Sequence, residues 1–188
     1  MTATAALCSA GQSLLVVVDT QTKLAAAMPP PKRDEILRNA AILLQAAGLL
    51  SVPVLITEQY PKGLGKTEAA LIQHLSPATP VIEKTCFSCC GAADFMEAVR
   101  RSRRNQIILA GMEAHVCVLQ TALELQSTNT QVFVAEDAVC SRRMRNKTNA
   151  LARLRNTGVI VTNTESLLFE WLRDARHEHF KKISKLIL

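Results

Sequence analysis

Leu14-Leu15-Val16-Val17-Val18-Asp19 decides the fold. The run is apolar at every position, ends in three β-branched residues, and stops at a carboxylate. A strand with no polar face has to be covered on both sides, which points to a parallel sheet between layers of helices. The same kind of segment recurs at residues 52–57, 81–84, 106–110, 131–135 and 159–161. Between these lie stretches with helical spacing. In residues 33–50, Ile36, Leu37, Ala40, Ala41, Leu43, Leu44 and Ala47 form one apolar face, with Gly48 near the end. Residues 68–75, 92–101, 116–126, 145–156 and 166–173 read as helices too. This alternation predicts a three-layer αβα, Rossmann-like domain with a doubly wound, mostly parallel six-stranded sheet. Such sheets bind ligands at the carboxyl ends of their strands. Asp19, Glu58, Lys84 and the segment 111–117 all fall there.

The chain has 188 residues and is 48% hydrophobic, enough for one domain with its own core. We therefore expect a single domain over 1–188, with a tail from about 177 packing on the body or on a partner subunit. No apolar run is long enough to span a membrane, so no membrane contact is expected. Residues 1–12 lack the basic and apolar pattern of a signal or transit peptide. The Ser184-Lys185-Leu186 triplet is followed by Ile187 and Leu188, so it is not expected to act as a peroxisomal address. A cytoplasmic protein is expected. In that setting Cys8, Cys86, Cys89, Cys90, Cys117 and Cys140 read as free thiols rather than disulfides.

The net charge is +6. It is concentrated at Arg100, Arg101, Arg103 and Arg104, at Arg142, Arg143, Arg145 and Lys147, and at Lys181, Lys182 and Lys185. No aromatic residues interleave with these clusters as stacking platforms would. They read as solvated helix faces, and no nucleic-acid partner is expected.

Cys117 is the sharpest candidate for chemistry. It follows the strand 106–110 and a turn starting at Gly111, and it opens a helix, where backbone N–H groups favour an anion and lower a thiol pKa. A small buried hydrophobe would suit the same position, and position alone leaves both readings open. Asp19, at the end of the first strand, is placed to take the thiol proton, or else to cap a helix. Lys84 is placed to stabilise the resulting charge, or else to sit on the surface.

In the order Asp19, Lys84, Cys117, these residues make the chain resemble the isochorismatase-like hydrolase superfamily, which includes nicotinamidases and carbamoylsarcosine amidase. The resemblance spans about residues 13–168. It rests on Leu14-Leu15-Val16-Val17-Val18-Asp19-Thr20-Gln21, Val81-Ile82-Glu83-Lys84, Gly111-Met112-Glu113-Ala114-His115-Val116-Cys117-Val118 and Glu136-Asp137-Ala138. Thr57-Glu58-Gln59-Tyr60-Pro61, Lys84-Thr85-Cys86-Phe87-Ser88 and Asp137-Ala138-Val139-Cys140-Ser141-Arg142 resemble the eukaryotic type 2 isochorismatase domain-containing proteins.

The resemblance implies an Asp19–Lys84–Cys117 triad and a cis peptide bond between Met112 and Glu113. It also implies an oxyanion hole made by the Glu113 and Cys117 N–H groups. It implies a homo-oligomer, a dimer or tetramer, and Ile183, Leu186, Ile187 and Leu188 are candidates for its interface. Nicotinamidases bind a metal through Asp-x-His and a further His. Here Thr57-Glu58-Gln59 occupies that place and the only His before Lys84 is His74, so neither metal nor other cofactor is expected. The expected activity is covalent cleavage of an amide or related C–N bond in a small-molecule substrate. Gln59, Tyr60, Phe87 and His115 are candidate substrate contacts, although His115 suits a loop residue bonded to backbone slightly better. The alternative is a catalytically weak member that acts as a binding or regulatory partner. Gly63-Leu64-Gly65-Lys66-Thr67 lacks the first glycine of a phosphate loop. Cys86, Cys89 and Cys90 lack a second ligand pair for zinc and read as thiols lining a pocket near Lys84.

Overall fold

The computed structural model describes residues 7–128 and 130–188; residues 1–6, part of the stretch read for targeting signals, lie outside them. Six strands form one sheet: β1 (Ser13–Val18), β2 (Val54–Gln59), β3 (Val81–Lys84), β4 (Gln106–Met112), β5 (Gln131–Cys140) and β6 (Ile160–Thr162). Their order is β3-β2-β1-β4-β5-β6, and every pairing is parallel. The order reverses between β1 and β4, which makes the space beyond their carboxyl ends the switch point of the sheet.

The helices cover both faces as the uninterrupted apolar strands require. α1 (Thr22–Ala26) leads into α2 (Pro30–Leu49); α3 (Pro61–Leu64) and α4 (Ala69–Ile72) follow β2. α5 (Ala93–Ser102), α6 (Leu119–Gln126), α7 (Met144–Asn156), α8 (Thr164–Leu172) and α9 (Phe180–Ser184) complete the chain. α2 opens on prolines, whose missing N–H costs nothing in a first turn. All of β1 and β4 is buried. Leu15 and Val17 point to one face, against Ala40, Leu43 and Leu44 of α2 and Leu168 and Trp171 of α8. Leu14, Val16 and Val18 point to the other, against Phe95, Leu119, Leu125 and Leu154. Each such side chain contributes about 1.5–3 kcal/mol by leaving water, so β1 is stable only in the middle of a covered sheet.

Both ends of the described chain are tied down. The Cys8 N–H donates to the Glu170 carboxylate at 2.6 Å, and the Trp171 indole donates to Ser13 Oγ at 2.9 Å. Ile183 is buried in the core, with Phe180, Leu186 and Ile187 partly buried against it. These tail residues therefore pack on the body of their own chain instead of standing free for an interface; Leu188 alone is fully exposed.

Three elements differ from the sequence reading. β5 runs on through Glu136 and Asp137 to Cys140, because both carboxylates find partners at its end. Asp137 accepts from the Thr164 N–H at 2.8 Å, and Glu136 accepts from Arg155 at 2.6 Å. β4 continues through Gly111 to Met112, with a shift of register against β5. The helix read from residue 116 begins as a π turn, Ala114–Val118, in which the Val118 N–H reaches back five residues to the Glu113 carbonyl.

Candidate active site

Asp19 leaves β1 at the switch point with a φ of 48°. This is the left-handed region that Asp tolerates better than most residues. Its side chain is fully buried. Thr57, on neighbouring β2, donates its hydroxyl to Asp19 Oδ1 at 2.7 Å. The same hydroxyl oxygen accepts from the Asp19 N–H at 3.3 Å and from the Cys89 thiol at 3.7 Å. With its lone pairs engaged, the hydroxyl has its one proton free for the carboxylate.

Lys84 ends β3 and its side chain is also fully buried. Nζ donates to Asp19 Oδ2 at 2.7 Å, Gln59 Oε1 at 2.8 Å, and the carbonyls of Phe87 at 3.1 Å and Cys86 at 3.2 Å. Every neighbour is an acceptor, the surroundings of an ammonium with three protons to give. Burial works against that charge, but the Asp19 carboxylate overrides it and holds the Lys84 pKa above its ordinary value.

Cys117 lies in the π turn after β4, only 5% exposed, beside the Asp19 carboxylate. Burial pushes its pKa up, the Asp19 charge adds to this, and Lys84 opposes it. The net displacement is upward. The sequence reading expected a helix N-terminus to lower the thiol pKa; desolvation and the neighbouring carboxylate raise it instead. The resting Cys117 side chain is a protonated thiol beside the Asp19 carboxylate. Met112–Glu113 is a cis peptide bond.

Asp19, Lys84 and Cys117, far apart in the chain, thus meet in one buried cluster, and Gln59 joins it from the end of β2. The other sequence candidates stand around it. Tyr60 is 55% exposed and lines a cleft of about 500 Å³, together with Lys62, Glu83, Lys84, Thr85, Cys86 and Asp94. Neither Asp19 nor Cys117 reaches its lining, so the cleft adjoins the cluster through Lys84. Phe87 is exposed outside that lining, while its carbonyl serves Lys84. The His115 ring is 3.0 Å from Ser141 Oγ and 3.2 Å from Asn146 Nδ2, so it is held by side chains rather than by backbone. The Glu113 carboxylate accepts from the Arg142 N–H at 2.9 Å and lies 3.1 Å from its guanidinium, tying the turn before Cys117 to the end of β5. Glu58 accepts from the Thr67 N–H and hydroxyl, both at 2.8 Å, and pairs with Lys66 at 3.1 Å. Burial opposes its charge, but these donors hold its pKa below the ordinary value. The carboxylate and amide that stand where nicotinamidases carry metal ligands are therefore both spent on neighbours. Among the described residues, no group of three or more His, Cys, Asp or Glu side chains is arranged to hold a metal ion.

Three participants escaped the sequence reading. Thr57 passes for an ordinary β-branched strand residue, yet it shares the Leu55 face of β2 with Gln59 by strict alternation, and that spacing was a usable signal. Gln21, two residues beyond Asp19, is fully buried. Cys89 does not line a pocket: it is fully buried behind Thr57, and burial, with the Asp19 charge, pushes its pKa up to about 12.

The isochorismatase domain model matches residues 13–166, which span all six strands and the whole cluster. The chain belongs to the isochorismatase family. Isochorismatase domain-containing protein 2 of Bos taurus is 40% identical over 178 residues, 94% of this chain and 83% of that one. Among solved members of the fold, the MAR1 ribonuclease of Caenorhabditis elegans is 36% identical, with a TM-score of 0.91 over 97% of this chain and 92% of its own. YcaC from Pseudomonas aeruginosa, solved with hexane-2,5-diol and covalent acrylamide, is 25% identical with a TM-score of 0.91, covering 98% of this chain and 93% of its own. The isochorismatase fold is thus shared across nearly the entire described chain.

Proposed function

We propose that this family member is a metal-independent cysteine hydrolase that cleaves an amide or related C–N bond of a small molecule. The observation that carries the reading is the Asp19 carboxylate, which holds the Lys84 ammonium and the Cys117 thiol together in one buried cluster. As the thiol sulfur attacks a substrate carbonyl, its proton passes to Asp19, and Lys84 stabilises the developing negative charge. The Glu113 and Cys117 N–H groups receive the oxyanion. Collapse breaks the C–N bond, the amine or ammonia leaves with the proton from Asp19, and water then releases the acyl group as an acid. A raised thiol pKa fits this order of events, because the proton moves only when the electrophile is in place. The covalent acrylamide in the Pseudomonas YcaC structure supports a reactive nucleophile within the fold, since acrylamide is an electrophile that thiols attack.

The test is mass spectrometry of the protein after incubation with a panel of small amides. The expected result is an acyl mass on Cys117 in wild type, absent in Cys117→Ala and at least about 100-fold slower to form in Asp19→Asn. If no amide acylates Cys117, and its alkylation by iodoacetamide matches that of Cys8 and is unchanged by Asp19→Asn, the enzyme reading fails and a binding or regulatory role takes its place.

A second reading, action on RNA, is favoured by the similarity to the nematode MAR1 ribonuclease and by the net charge of +6. It predicts binding of single-stranded RNA that weakens steeply with salt, and cleavage by wild type; no salt-sensitive binding removes it. The single domain over 1–188, a cytoplasmic location and a homo-oligomer remain part of the proposal. Exposed Ile72, Phe87, Met144 and Phe169 offer apolar surface for self-association, and a monomer in light scattering would count against it.

A further inference from the structure

We propose that Gln59 is a positioning residue that fixes Lys84 on Asp19, and that Gln21 in turn fixes Gln59. The inference rests on the hydrolase reading and adds to it two residues that hold the triad through its other members. The Gln59 amide has a single consistent orientation. Its Nε2 donates to the Thr85 carbonyl at 2.6 Å, so its Oε1 must face Lys84 Nζ, 2.8 Å away. Flipping the amide would place two donors, NH₂ and ammonium, against each other. The Gln59 backbone is clamped as well. Its N–H donates to Gln21 Oε1 at 2.7 Å, and its carbonyl accepts from Gln21 Nε2 at 3.0 Å. Gln21 Nε2 also donates to the Gly65 carbonyl at 2.6 Å, which ties the segment carrying Tyr60 to the same chain of bonds. Gln21 is fully buried and Gln59 is 9% exposed, and the bonds between them and from Gln59 to Lys84 are buried.

A neutral acceptor is what the position requires. Gln59 completes the acceptors around Nζ beside Asp19 and the Cys86 and Phe87 carbonyls, whereas a carboxylate in its place would compete with Asp19 for the ammonium and add negative charge beside the thiol. The charged and titratable groups that bear on Cys117 are Asp19, Lys84 and Cys89, and among the described residues no further cation bears on the thiol to absorb such a charge.

The experiment is the pH profile of Cys117 alkylation by iodoacetamide, read by peptide mass spectrometry in wild type, Gln59→Glu, Gln59→Met, Gln21→Ala and Asp19→Asn. Gln59→Glu is expected to move the profile to higher pH by about one unit, which lowers alkylation at neutral pH about tenfold. Gln59→Met, close in shape but without an acceptor, and Gln21→Ala are expected to slow alkylation about threefold to tenfold while the melting temperature shows a folded protein. Unchanged profiles in folded Gln59→Glu and Gln59→Met overturn the inference and leave Gln59 a structural residue. That result is distinguishable from failure of the hydrolase reading, in which Asp19→Asn also leaves the profile unchanged. If Gln59→Glu does not fold, Gln59→Met and Gln21→Ala decide: unchanged profiles in both overturn the inference.

Discussion

Lys84 has no water to fall back on, and neither has Asp19. Replacing Lys84 by Met removes a cation of similar length and leaves the carboxylate buried without its partner. Breaking a buried pair from one side costs about 3–5 kcal/mol, and the expected loss for Lys84→Met lies in that range by urea denaturation at neutral pH. The double variant Asp19→Asn/Lys84→Met is expected to recover part of the loss, because no unpaired charge is left behind; a double variant no more stable than Lys84→Met would refute this. At this scale the sequence pointed to three residues that the fold brings into one cluster. Asp19 and Lys84 are charges that abruptly close apolar strands, and Cys117 sits just beyond a third. The state of the thiol was not legible. A helix N-terminus is visible in sequence, whereas desolvation and the approach of Asp19 exist only once β1 and β4 are side by side.

At the scale of elements, the approach of β1 and β4 depends on Gly111. Its φ is +114°, and a Cβ there would meet the Val18 backbone, with Val18 N 2.7 Å away. The clash is with backbone of a fully buried strand one residue before Asp19, so no flexible side chain can move to relieve it. Gly111→Ala is expected to cost about 3 kcal/mol or more, seen as a large drop in thermal midpoint, and to slow Cys117 alkylation in whatever fraction folds. A variant within about 0.5 kcal/mol of wild type would show that the strands can separate freely. Gly111 was legible as a turn signal but not as a contact: β4 continues through it, and what the glycine supplies is room for the neighbouring strand. The π turn after β4 was likewise hidden, since its sequence follows helical periodicity and only the reach of Val118 to Glu113 sets it apart.

Across the whole molecule, burial raises several thiols together: Cys8 and Cys90 to about 11, Cys89 and Cys140 to about 12, and Cys117 in the same direction. The ordinary thiol value is 9.0. Below it, folded and unfolded chains both keep these protons, and the thiols leave stability independent of pH. Above it, the unfolded chain loses protons that the folded chain retains, so stability falls as pH rises towards the folded values. Urea midpoints under reducing conditions are expected to be level from about pH 7 to 8.5 and to fall steeply by about pH 10.5. Cys8→Ser with Cys140→Ser should flatten the decline in proportion; an equal decline without those thiols would refute the account.

The sequence by itself determined the layered fold, because a strand such as Leu14–Val18 with no polar face is stable only between two layers of helices. It also placed Asp19, Lys84 and Cys117 at strand ends, where an α/β sheet gathers its chemistry. The tertiary structure alone decided how these groups behave. It set the thiol's protonation through burial and the Asp19 charge, turned Gln59 towards Lys84 by tying its other end to Thr85, and aimed the Thr57 proton at Asp19 by filling the oxygen's lone pairs. Each of these depends on distances between segments far apart in the chain, and local sequence pattern carries no record of such distances.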